Sequence, residues 1–185
     1  MNSPDEAPST HKRRKQIVQI AAALLAILIT ITLVVLRKQI AQLGVYGYSG
    51  VFLISLLGNA TVIFPAPSFA IVFAVGGALE PLSVGISAGV GAAIGEMTGY
   101  LAGVGGRGVF EDRQLYQRLA GWMQEHGMLA VFILAVIPNP IFDVGGMVAG
   151  ALRMPAWKFL LAAALGKSIR FYILALSGHL LLGTS

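Results

Sequence analysis

The chain has 185 residues, of which 56% are hydrophobic and 11% charged, with a mean hydropathy of +0.78 and 13 basic against 8 acidic side chains. A soluble domain carries about 25% charged residues, so this composition argues against a water-facing globule and against a soluble enzyme or nucleic-acid-binding domain. There is no cysteine, hence no disulfide, thiol nucleophile or thiolate zinc site; His11, His126 and His179 are too scattered for a metal centre, and no metal or cofactor is expected.

Residues 1–16 mix Pro, Ser, Thr and charge without an apolar period and read as a flexible tail. The tail ends in the basic cluster Lys12, Arg13, Arg14 and Lys15. Residues 17–36 follow without a charge, long enough to cross a hydrocarbon core of about 30 Å. An uncleaved transmembrane anchor with its N-terminus in the cytoplasm is the reading preferred to a signal peptide, because the apolar run is long and no small-x-small site follows it.

After Arg37 and Lys38 the apolar stretches are interrupted. Residues 51–64 are apolar, Pro65-Ala-Pro67 breaks the run, and 68–79 are apolar again before Glu80 and Pro81. Each arm is short for a span, and the prolines remove backbone donors and disfavour helix at Ala66. A re-entrant helical hairpin over 51–79 is predicted. A transmembrane helix over 82–104 comes next, carrying Gly91, Gly95, Gly99 and Gly103 at four-residue intervals, a small-residue stripe for close helix packing.

Residues 110–126 place Leu115, Leu119, Trp122 and Met123 on one face and charged or amide side chains on the rest. This is an amphipathic helix, expected to lie along the membrane surface as a connector, with membrane sensing as the alternative. A second hairpin is predicted over 128–150, broken at Pro138-Asn139-Pro140, and a last transmembrane helix over 159–182. Shifting the sequence by 73 residues lays Pro65, Pro67, Phe69, Gly77, Ala78 and Leu79 on Pro138, Pro140, Phe142, Gly150, Ala151 and Leu152. The two hairpin-plus-helix units are therefore an internal repeat, inverted if one helix crosses between them. That topology puts nine basic residues inside, from Lys12 to Lys158, against Arg37 and Lys38 outside, as the positive-inside rule requires. The fold expected is an all-α, multi-pass membrane protein with an N-terminal anchor and an inverted repeat over 50–182.

Glu96, Asp143, Lys167 and Arg170 are the ionisable residues inside these apolar segments, and their formal charges cancel. Intramembrane charge faces a bundle interior or a watery cavity and marks transport paths; the structural alternative is ion pairs that only hold the repeats together. Counted from Pro81 and Pro155, Glu96 and Arg170 fall at the same position, which suggests that they pair. Broken hairpins expose backbone polar groups at mid-membrane, where a polar cargo can bind. Asn59, Ser68 and Asn139 sit near the breaks and could add hydrogen bonds, although Asn139 can equally cap its own turn. His179 reads as interfacial.

The run from Ile137 to Arg170, IPNPIFDVGGMVAGALRMPAWKFLLAAALGKSIR, resembles the core of the DedA or VTT (SNARE-associated) membrane family, and within it the vacuole membrane protein branch. FPAPS and GAAIGEMTGYLAG resemble the family's first hairpin and its following helix. The resemblance covers about residues 50–180. It implies two opposed re-entrant hairpins and movement of lipids between leaflets, as a phospholipid scramblase or a carrier of polyprenyl-phosphate or other lipids, with proton coupling in bacterial relatives. Asn59 stands where bacterial DedA proteins carry Glu, and Ala135 and Ile141 where they carry arginines, which favours a passive scramblase. On this reading Asp143 organises the second hairpin, Lys167 and Arg170 attract phosphate, and Glu96 balances them or binds a proton. The partners implied are membrane phospholipids, with room for a homo-oligomer. The rival functions are an ion- or proton-coupled solute transporter and a non-transporting membrane scaffold. No covalent catalysis is expected: there is no GxSG or GxGD motif, and Asp143 lacks a second aspartate.

Overall fold

A computed structural model of the chain describes residues 45–60, 68–106, 113–138 and 141–182. The basic tail, the anchor over 17–36 and the hairpin-break residues Pro65, Pro67, Asn139 and Pro140 lie outside the described residues. Every regular element among the described residues is helical: α1 (Val45–Ala60), α2 (Ser68–Gly76), α3 (Pro81–Gly95), α4 (Met97–Val104), α5 (Arg113–His126), α6 (Met128–Val136), α7 (Ile141–Ala151) and α8 (Ala156–Leu182). α8, with 27 residues, is the helix among them that is long and apolar enough to cross a membrane.

Local chemistry sets several of the boundaries. α3 starts where Glu80 is extended and its carboxylate accepts from the backbone N–H groups of Leu82 (2.9 Å) and Ser83 (2.6 Å), with Pro81 at the first helical position. The helix expected over 82–104 is not continuous. It is divided at Glu96 into α3 and α4, and the Thr98 hydroxyl reaches the carbonyls of both Gly95 and Ala60 at 3.0 Å, satisfying the backbone beside the break.

α5 forms within the stretch predicted to be an amphipathic helix. Leu119, Ala120 and Met123 are buried among side chains of α6, α7 and α8, while Leu115 and Trp122 are half-buried, so the centre of the apolar stripe is covered by the protein itself. Gly127, at φ 52°, makes the reversal from α5 into α6 that a side chain would resist.

α8 is the axis of the packing, touching α2, α3 and α6, while α1 lies on α3 and α7 lies on α4. Its buried stripe repeats every four residues as Phe159, Ala163, Lys167, Phe171 and Ala175. Phe159 belongs to one apolar core with Phe142 and Tyr100; Phe171 belongs to another with Val72, Val84 and Ala88. Lys167 lies between the two.

One contact is built twice. A β-carbon on Gly76 would meet the Ala175 carbonyl, and one on Gly178 would meet the Phe73 carbonyl. Likewise Gly150 faces the Tyr100 carbonyl and Gly103 the Met147 carbonyl. In each case a glycine and the residue three before it, on both helices, exchange contacts, so α2 approaches α8 as α7 approaches α4. The glycine stripe of residues 91–103 is thereby divided between partners. Gly91 and Gly95 admit the backbone of α1 at Phe52 and Leu56, Gly103 admits α7, and Gly99 is only in ordinary contact with Asp143 and Met147.

Candidate functional site

The polar site lies halfway along α8. Lys167 Nζ is 2.7 Å from Glu96 Oε1 and 2.8 Å from Asn59 Oδ1, and lies 4.7 Å from the centroid of the Phe142 ring. Lys167 is 1% exposed and Glu96 4%. Burying two charges is tolerable only if they are paired and their remaining donors are satisfied. Here a carboxylate, an amide oxygen and a ring face surround the ammonium. Asn59 is fixed in turn, because its Nδ2 donates to the Ser55 carbonyl at 2.8 Å.

Each element contributes through its local sequence. The break between α3 and α4 places Glu96 at the junction, and Gly146 of α7 leaves space beside its second oxygen. Asn59 comes from the last turn of α1, Lys167 from the buried stripe of α8, and Phe142 from the first turn of α7.

Arg170, one turn beyond Lys167, lies 4.9 Å from the Phe69 ring and 5.0 Å from the Phe171 ring, and its Nε is buried without a hydrogen-bond partner among the described residues. Asp143, in the first turn of α7, is exposed and lies within electrostatic reach of Glu96, Lys167 and Arg170. The four charged residues singled out in the sequence therefore converge. The pairing differs from the one expected: Glu96 bonds Lys167, and Arg170 feels it only at longer range. Lys167, one turn before Arg170 on α8, is the side chain that reaches Glu96.

Phe69 and Phe142 were aligned by the repeat but given no role. Each supports one cation of α8, Phe69 with Arg170 and Phe142 with Lys167, so the 73-residue shift already carried that signal. Ser68 is buried at the start of α2, and His179 is exposed near the end of α8. Among the described residues no cluster of His, Asp and Glu could hold a metal ion. The arrangement offers a balanced, desolvated ion pair with an adjacent guanidinium whose buried Nε has no hydrogen-bond partner among the described residues.

Comparison with known proteins gives the context. The VTT domain family profile matches residues 64–180. Over 56 residues the chain is 36% identical to vacuole membrane protein KMS2 of Arabidopsis thaliana, covering 28% of this chain and 14% of that protein. It is 35% identical over 65 residues to vacuole membrane protein 1 of Bos taurus, covering 31% and 16%, and 38% identical over 47 residues to the Homo sapiens protein of the same name, covering 25% and 12%. These matches span less than a fifth of each relative's length. No solved structure matches the chain. With the family profile covering most of the chain and its relatives named as membrane proteins, the chain belongs to the VTT domain family and is a membrane protein, helical in every regular element of its described residues.

Proposed function

We propose that this protein moves phospholipids between leaflets, as a scramblase, through a polar path between two opposed re-entrant hairpins. The carrying observation is the buried cluster at the middle of α8, where the Arg170 Nε, without a hydrogen-bond partner among the described residues, lies beside the satisfied Glu96–Lys167–Asn59 group. Intramembrane charge of this kind serves transport by default, and a free guanidinium donor suits a headgroup phosphate. The twice-built glycine contact supports the inverted-repeat reading, since the second arm of each predicted hairpin packs on a helix of the other unit, α2 on α8 and α7 on α4. In this scheme the headgroup follows Arg170 and Asp143 while the acyl tails stay in lipid, and no covalent chemistry or cofactor takes part. The N-terminus is cytoplasmic and the chain crosses the membrane several times.

The test is reconstitution into liposomes with fluorescent phospholipid in both leaflets and dithionite added outside. Scrambling lets nearly all the fluorescence be quenched; a fraction equal to that of empty vesicles, with or without a pH gradient, rejects lipid movement. Quenching that needs a pH gradient would instead indicate a proton-coupled carrier. Arg170→Gln and Asp143→Asn, if they stay folded, should slow the quenching.

A further inference from the structure

A second charged feature lies at the start of α8, more than two turns before the buried cluster. A pocket of about 460 Å³ opens there between the ends of α5, α6, α7 and α8. Met123, Met128, Leu152 and Met154 line it with apolar surface, and Arg153 and Lys158 bring two cations. No carboxylate lines it, and among the described residues neither cation has an ion-pair partner.

The backbone singles out Arg153. It sits at φ 54°, where a β-carbon crowds the chain and helix ends commonly use glycine. Its N–H donates to the Gly150 carbonyl at 2.9 Å, and the Met154 N–H donates to the Ala149 carbonyl at 3.0 Å, which is the Schellman closure of α7. Glycine would serve that closure better. What arginine adds is a guanidinium in the pocket, and a residue held in a disfavoured conformation is reason to look for a use of its side chain.

The position suits lipid. At 1.5 Å per residue α8 is about 40 Å long, against a hydrocarbon core of about 30 Å, so its first turn reaches the headgroup layer. Trp157 in that turn is 63% exposed, as tryptophans at the membrane interface are, and Lys158 Nζ lies 5.6 Å from its ring centroid.

We propose that this pocket binds the anionic headgroup of a phospholipid in the adjoining leaflet, with Arg153 and Lys158 on the phosphate and the methionine-rich floor against the glycerol and upper acyl chain. It requires only that α8 crosses the membrane, and stands whether or not the protein transports lipid.

Trp122→Phe leaves Trp157 as the sole tryptophan. This full chain is reconstituted into phosphatidylcholine vesicles containing either brominated phosphatidylglycerol or brominated phosphatidylcholine at equal mole fraction, and Trp157 quenching is measured. The anionic lipid should quench more, with a preference of about fivefold for each cation engaged. Arg153→Gly, which suits the backbone and should not lower the unfolding temperature, and Lys158→Gln should each reduce the preference, and the double variant should abolish it. Arg118→Gln, on α5 outside the pocket, should leave it intact. Equal quenching by the two lipids, or an undiminished preference in the double variant, overturns the proposal. Loss of the preference on adding millimolar glycerol phosphate would assign the pocket to a free phosphate and equally overturn it.

Discussion

Glu96 and Lys167, 71 positions apart in the sequence, meet at 2.7 Å with both side chains withdrawn from the surface. The carboxylate comes from the junction of α3 and α4 and the ammonium from the middle of α8, so one bond joins elements far apart in the sequence. Removing one partner of such a pair leaves the other charge buried and uncompensated, at a cost of about 3–5 kcal/mol. Lys167→Met should therefore lower the unfolding temperature in detergent sharply. The double variant Glu96→Gln with Lys167→Met should recover most of the loss, as neutral replacements of buried pairs commonly do. A double variant as unstable as the single one would show that the two side chains are not coupled.

Much of this arrangement was legible in the sequence. The apolar runs and their proline interruptions located the helices, and the scarcity of charge in those runs picked out Glu96, Asp143, Lys167 and Arg170. Three features were not legible. Glu96 divides its helix, yet its surroundings, Gly95 and Gly99 among alanines, keep the small-residue period of an unbroken one. The choice of Lys167 over Arg170 depends on how two helices rotate against each other, which a repeat offset does not encode. The apolar stripe of α5 states that something covers it without stating whether lipid or protein does.

That last point has a stability consequence. Met123 is 3% exposed among α6 and α7 side chains, so Met123→Ala should open a cavity and cost about 2–5 kcal/mol, read as a fall in unfolding temperature. A helix resting its apolar face on lipid would lose far less.

Glu80 gives a pH dependence outside the spanning segments. Hydrogen bonds from Ser83, through its side chain and then its backbone N–H, and from the Leu82 N–H hold its carboxyl below the ordinary carboxylate value of 4.5. A carboxyl depressed in the folded state contributes stability that is fully present above its unfolded value and is lost as the pH falls through the folded one. The unfolding temperature should thus drop below about pH 4.5, and less steeply in Glu80→Gln, which has no titrating cap. Parallel profiles for the two proteins would rule the cap out as a pH-dependent element.

The glycines give the sharpest contrast. Gly103 and Gly150 each face a backbone carbonyl of the neighbouring helix, as do Gly76 and Gly178 in the equivalent contact. A carbonyl cannot swing aside as a flexible side chain can, so alanine at any of these four should push the helices apart and cost about 1–3 kcal/mol. Gly50 in α1 and Gly121 in α5 have nothing within 4 Å of an added β-carbon. Alanine there meets no obstacle and restricts the unfolded chain, a gain of about 0.4–1 kcal/mol. Opposite signs are therefore expected from one chemical change, Gly→Ala, measured by thermal unfolding across the six positions. Moreover, because α2 on α8 and α7 on α4 use the same reciprocal contact, Gly76→Ala and Gly150→Ala should be similar in size. A loss at one with none at the other would mean that the two interfaces, alike in geometry, are not alike in energy.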